Sequence, residues 1–265
     1  MYISIKNRII FLLIVFTLQR FVLLRIVAYP RIQADLQEVL IRNLDGIGHK
    51  QAELVTNWMH ERMKNARVIA NNPLMIRSTK ITEVDKDYPD IVQYLEVAKG
   101  EYGYKGVLVC NDSGVITVGT AGEAVGADVS QMDYFKQAIQ GNTSASNMIP
   151  SEIPLTNELG EKELGLPTMF VSTPLMDRDG VVIGVVAIRV DVNALNDLML
   201  SLNLGKTGET YLVNKDGFML TESRFAAHLK EMGLVKKRCA LSLKLVNSET
   251  GELNEGVKQC VAGNN

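Results

Sequence analysis

A chain of 265 residues with a formal net charge of −2 and a pI near 6.0 has no basic footprint for nucleic acid, so that class of partner is excluded on charge. The length suits one large domain or two small ones, and a hydrophobic fraction of 46% can fill a substantial core. The three cysteines, Cys110, Cys239 and Cys260, fit no CxxC or Cys/His zinc spacing, so neither a metal site nor a cofactor is expected.

Residues 9–28, IIFLLIVFTLQRFVLLRIVA, reach the roughly 20-residue length of a membrane-spanning helix. Gln19, Arg20 and Arg25 interrupt the run, and a central arginine costs about 2.5–3.5 kcal/mol on insertion scales. Lys6 and Arg8 precede it, which predicts a membrane anchor over residues 1–30 with a cytoplasmic N-terminus and export of everything from Arg31 onward. The expected setting is the inner membrane, crossed once, with the remainder in the periplasm. A cleaved signal peptide with its apolar core at Ile9 to Leu18 is the rival, although no A-x-A-like site follows, and a buried helix of a soluble protein is the third option.

Residues 31–73 read as a long stalk helix. Leu36, Leu40, Leu44, Ile47, Leu54, Val55, Trp58, Met59, Met63 and Ala66 recur near helical spacing with polar residues between them. About forty residues at 1.5 Å each would reach about 60 Å, enough to hold a domain off a membrane and to pair with a second copy as a homodimer. Gly46 and Gly48 weaken its middle, and Asn71-Asn72-Pro73 ends it.

A polar helix is predicted over 81–99. It is followed by a strand-turn-strand unit over 106–119 about Asn111-Asp112-Ser113-Gly114, a helix over 134–140 and a polar loop over 141–167. Residues 168–195 form the clearest hairpin, two β-rich runs about Asp177-Arg178-Asp179-Gly180. In its second run Val186, Ile188, Val190 and Val192 share one face and Val185, Ala187, Arg189 and Asp191 the other. The first face is core. The second is partly small and apolar yet carries a cation and an anion two residues apart, so it either lines a polar cavity or is a partly wet surface with an ion pair. On the first run Phe170 and Ser172 share one parity and Met169 and Val171 the other, and the polar Ser172 assigns the first pair to the cavity side.

Residues 211–222, YLVNKDGFMLTE, repeat the strand-turn-strand form about one hundred residues later, so two related α+β modules are expected, over 74–200 and 201–265. After the second turn only a strand over 237–246 and a polar ending follow. The second module is therefore expected to be incomplete and partly open. Cys239 and Cys260 would close a loop of about 20 residues in an exported region, where a disulfide can persist, while Cys110 in an apolar strand is expected to stay free.

The order of these pieces carries a resemblance. GVLVCNDSGVITVGT, MDYFKQAIQGN, FVSTPLMDRDGVVIGVVAIRVDVNAL and LGKTGETYLVNKDGFMLTESRF, following an anchor and a long helix, resemble the double Cache (dCache) extracellular sensor regions of bacterial chemoreceptors and sensor histidine kinases. The resemblance implies an α+β fold with an N-terminal transmembrane helix, a stalk helix and tandem PAS-like antiparallel-sheet modules. It implies that the membrane-distal module binds a small molecule and the proximal one relays the signal, with no catalysis in this stretch of chain and any kinase or cyclase output outside it.

Amino-acid-binding members open the helix after the second strand with Arg-x-Trp-Tyr, where this chain has Met132, Tyr134 and Phe135. Where they carry an aspartate for the ligand amine, this chain has Arg189, whose paired donors suit a carboxylate or another anion. The implied ligand-binding set is Tyr134, Phe135, Phe170, Ser172, Arg189 and Asp191, with the aromatics excluding water and Asp191 orienting Arg189 or meeting an amine.

Catalytic motifs are thin. There is no GxSxG elbow, Leu200 stands where a phosphate loop ending in Gly205-Lys206-Thr207 needs its first glycine, and His49, His60 and His228 lack HExxH spacing. Asp177-Arg178-Asp179-Gly180 opens like a calcium loop without the downstream glutamate. Two other readings stay open: an exported small-molecule binding protein with no output of its own, and an exported hydrolase.

Overall fold

A computed structural model describes residues 5–120, 123–157, 159–201 and 204–263, so positions 1–4 of the predicted anchor lie outside the described residues. Two compact units are present, residues 1–53 and 54–265. In the first, α1 (Ile5–Leu23) passes through a π-helical stretch (Leu24–Ala28) into α2 (Tyr29–Ala70). Apolar side chains such as Phe11, Leu12, Phe16 and Leu24 are exposed throughout it, and the helix is long and apolar enough to cross a membrane.

The second unit begins with the later turns of α2, which bury Trp58, Ala66, Ile69 and Ala70. The helix stops where predicted. Asn72 takes up extended backbone and its side chain accepts from Leu74 N at 2.9 Å, starting α3 (Pro73–Ser78) with proline at the first helical turn, where its missing N–H costs nothing. The helix predicted over 81–99 begins later, as α4 (Tyr88–Tyr102). The preceding residues are held as turns because the Asp85 carboxylate accepts from both the backbone and the hydroxyl of Thr82, at 2.7 and 2.8 Å.

The sheet is antiparallel, ordered β2-β1-β8-β7-β3, with β4 also on β7. Its strands are β1 (Gly106–Asn111), β2 (Ile116–Gly119), β3 (Ser144–Ala145), β4 (Ile149–Pro150), β7 (Pro167–Met176) and β8 (Val182–Val190). A separate two-stranded ribbon, β5 (Leu155–Thr156) with β6 (Lys162–Glu163), extends from the segment read as a polar loop. Helix α5 (Asp133–Ile139) lies between β2 and β3 in sequence.

The predicted alternation holds. Val186, Ile188 and Val190, with Met169 and Val171, share a core with Trp58, Ala66 and Ile69 of α2, while Val185, Ala187 and Phe170 pack with Tyr134, Phe135 and Ala138 of α5. Each sheet face is thus covered by helix, as a sheet apolar on both sides requires.

Beyond β8 run α6 (Asn193–Leu200), α7 (Ala226–Glu231) and α8 (Glu255–Val261). The internal repeat survives at its turn. Asn214 Oδ1 accepts from Asp216 N and Phe218 N, as Asn111 does from Ser113 N and Val115 N and Asp177 does from Asp179 N and Val181 N. Gly217, Gly114 and Gly180 each close the turn at φ between 80 and 88°, a left-handed conformation suited to glycine.

The predicted strands on either side of Asn214, and the one over 237–246, reduce to isolated bridges, Val213 with Met219, Phe218 with Lys244 and Val246 with Leu253. A small core of Met219, Val235 and Cys239 organises this part. The predicted disulfide is absent: Cys239 is buried in that core, Cys260 is exposed on α8, and all three cysteines are free thiols.

Candidate ligand-binding site

Arg189, next to the end of β8, stands in register with Gly106 on β1 and Phe170 on β7. Its guanidinium lies over the Phe170 ring, 4.4 Å from the centroid, and Phe170 in turn stacks on Tyr134 of α5 at 4.3 Å and 24°. A cation over the electron-rich face of an aromatic is favourable, and more so when water is excluded. Only 6% of the Arg189 side chain is exposed.

Its partner was not foreseen. Glu123, on the segment after β2, accepts from Arg189 Nε at 3.0 Å and from Nη2 at 2.9 Å, and Nη1 donates to Thr168 Oγ1 at 3.3 Å. The guanidinium fork thus holds a carboxylate in two-point contact, its strongest and most directional mode. Two glycines give this glutamate its room. A Cβ on Gly106 would meet Glu123 Oε1 at 1.9 Å, and one on Gly119 would meet Glu123 Cβ at 2.8 Å. The signal available in the sequence was an acidic residue in the glycine-rich run GTAGEAVG, flanked in space by the strand-end glycines Gly106 and Gly119.

A cavity of about 100 Å³ opens beside the pair. Leu108, Ile116, Val129, Met132, Ile149 and Ile153 supply apolar walls, Tyr134 and Phe170 the aromatic ones, and Asp128 and Glu152 stand at the exposed rim. Burial pushes the Tyr134 phenol far above its ordinary range, so it stays a neutral hydroxyl. Burial likewise pushes Cys110, on the same sheet face, up to about 12.

Of the six residues expected at the site, Tyr134, Phe170 and Arg189 line this cavity together. Phe135 is buried in the core between α5 and the sheet instead. Ser172 is also fully buried, and its hydroxyl donates to the Tyr134 carbonyl at 2.7 Å, which fastens α5 to β7 and so sets the Tyr134 ring over Phe170. Asp191 does not accompany Arg189. β8 ends at Val190, so strand alternation no longer directs the next side chain, and Asp191 pairs with Lys105 Nζ at 3.0 Å while capping Asn193 N at 3.1 Å. It borders a wider depression of about 750 Å³ between the β5–β6 ribbon and the last part of the chain.

A sequence model of the Cache domain matches residues 32–259. Among solved structures, the sensor domain of the histidine kinase DctB from V. cholerae superposes with a TM-score of 0.54 at 10% identity, over 74% of this chain and 75% of that one. The sensory domain of the Campylobacter jejuni chemoreceptor Tlp3 gives 0.52 at 15%, over 72% and 75%. The ligand-binding domain of the Pseudomonas aeruginosa PAO1 amino-acid chemoreceptor PctC, in complex with GABA, gives 0.50 at 20%, over 74% and 78%. No curated protein matches the sequence. Similarity at such identities speaks to the fold, and the antiparallel sheet between α2 and α5 is that fold. With the family's sequence model spanning all but the ends of the sequence, the chain belongs to the Cache domain family.

Proposed function

We propose that the chain is the extracytoplasmic ligand-sensing region of a transmembrane signalling protein, and that it binds a small molecule bearing a carboxylate in the cavity beside Arg189. The observation that carries the reading is the buried guanidinium, walled by Phe170 and Tyr134, already holding a carboxylate through two donors. The site therefore has the shape and charge to hold that group, and its apolar walls suit a short aliphatic body. PctC in complex with GABA and Tlp3 with isoleucine bound set the precedent that domains of this fold take small carboxylate-bearing molecules.

Export follows from Lys6 and Arg8 ahead of the apolar helix, with Arg31 onward outside the membrane. Two copies would associate along the stalk, where Leu36, Leu40 and Leu44 recur every four residues on α2 and are all exposed. The test of the reading is a calorimetric titration of the detergent-solubilised chain against small monocarboxylates, dicarboxylates and amines. Carboxylates are expected to bind and Arg189→Ala to weaken them at least tenfold; a ligand set confined to amines, or binding indifferent to Arg189, overturns it. A reporter fused after Ala70 that is active only in the cytoplasm overturns the topology.

A further inference from the structure

Glu123 fills the Nε–Nη2 fork of Arg189, the edge on which a ligand carboxylate would otherwise make a two-point contact. We infer that Glu123 is a built-in competitor for the ligand, an internal carboxylate that holds the site in its ligand-free form and is exchanged for the ligand's own. The inference rests on the proposed carboxylate ligand and assigns the regulation of that same site.

Three observations carry it. The cavity, at about 100 Å³, is well below the roughly 300–1,000 Å³ of ordinary small-molecule sites, and the Glu123 side chain fills the space beside it. That side chain has a made-to-measure bed, because Gly106 and Gly119 withhold the two Cβ atoms that would collide with it. Third, Glu123 adjoins the surface. Ala124, Val125 and Gly126 are exposed, and the backbone there is held without the carboxylate, by Glu123 N to Thr120 O at 3.0 Å and Ala127 N to Ala124 O at 3.1 Å. The anchor Gly126 N to Ile116 O at 2.8 Å lies beyond it, so the glutamate can turn outward without unpairing β2.

The exchange also sets specificity. Leaving a buried guanidinium unpaired is strongly unfavourable, so Glu123 departs only when another anion takes its place. Neutral and cationic molecules cannot make that substitution. Competition with Glu123 for the fork lowers the ligand's apparent affinity, so removing the competitor raises it.

The probes are acetate and propionate, with ethylamine as the control, read by thermal unfolding of the full chain in detergent. Three variants weaken or remove the competitor by different means: Glu123→Ala removes the side chain, Glu123→Gln keeps its shape without its charge, and Gly106→Ala places a methyl where Oε1 lies. Half-saturation by acetate or propionate is expected at a concentration at least tenfold lower in these variants than in the parent, with no response to ethylamine and none in Glu123→Ala/Arg189→Ala. If parent and variants respond at the same concentration, the competitor role is overturned while the carboxylate reading stands. If no variant that folds responds to either acid, both fall.

Discussion

The Glu163 carboxylate on β6 accepts a 2.7 Å hydrogen bond from the guanidinium of Arg238, joining the β5–β6 ribbon to the last part of the chain. Lys237 Nζ adds a second contact at 3.0 Å and Asn157 a third at 3.3 Å. Ile149 and Ile153, which wall the cavity, lie just before this ribbon in sequence, so the clamp joins the stretch that follows those walls to the region expected to relay the signal.

These contacts, the hydrogen bond from Lys237 first and then that from Asn157, hold the Glu163 carboxyl below its ordinary range. A lowered folded pKa means the clamp contributes fully above the ordinary carboxylate range and is lost as pH falls through the lower folded value. Glu163→Gln is expected to speed hydrogen exchange over 155–163 and 236–240 at neutral pH. The stability gap between parent and variant is expected to close on acidification below the carboxylate range, and a gap that persists there counts against the clamp.

Gly184 and Gly100 make a matched pair of opposite sign. A Cβ at Gly184 would lie 2.3 Å from the Cys110 carbonyl oxygen and 2.7 Å from Thr79 Cγ2, a collision with backbone that cannot give way. Gly184→Ala is expected to destabilise by about 1–3 kcal/mol. Gly100, in α4, has open space around its Cβ position, and Gly100→Ala is expected to stabilise by about 0.5–1 kcal/mol through backbone entropy. Urea unfolding of both variants checks the signs.

The fold was legible where side-chain period and turn chemistry acted together. Alternation along Val185 to Val190 assigned both faces of β8 correctly, and Asp177 with Gly180 located the turn between β7 and β8. Alternation failed one residue past the strand's end, which is why Asp191 left the site for Lys105. Glu123 was invisible for a different reason. A buried ion pair across 66 positions leaves no local periodicity, and only the spatial meeting of Gly106, Gly119 and Arg189 explains it. Around Asn214 the turn was read correctly but the strands were not, because a three-residue core there buries too little surface to hold extended pairing.

The cysteines separate by burial. Cys110 has its thiol raised to about 12 by burial, Cys239 is raised in the same direction and for the same reason, and Cys260 is exposed. Since the thiolate is the reactive form, one thiol is expected to react with an aromatic disulfide reagent in the native chain at mildly alkaline pH, and three after unfolding in denaturant without reductant. Recovery of only one thiol in denaturant would mean that Cys239 and Cys260 bond after all.

The Ser172 hydroxyl is the fastening between α5 and β7. Ser172→Ala removes a buried donor and is expected to cost about 1 kcal/mol. Because the bond fixes the carbonyl of Tyr134 itself, the loss is expected to loosen the stacked ring as well, read as faster exchange of the α5 amides. A Ser172→Ala chain with unchanged stability and exchange would show that core packing alone holds the helix.

Arg189 and Glu123 are expected to be energetically coupled, with side-chain exposures of 6% and 3%. Arg189→Ala strips a buried carboxylate of two donors and also removes the cation from the Phe170 ring. In a site that could not relax, breaking such a pair would cost about 3–5 kcal/mol. Glu123 adjoins the exposed residues Ala124 to Gly126, however, and can swing into water once its partner is gone. The loss is therefore expected to fall below that range, and a double-mutant cycle with Glu123→Ala is expected to return a coupling of about 1.5–3 kcal/mol, the range for hydrogen bonds to charged groups. Additive losses from the two single variants would mean the pair contributes nothing to the fold beyond its separate members. A loss of 3–5 kcal/mol for Arg189→Ala alone would mean that Glu123 stays trapped when unpaired, which contradicts its outward release.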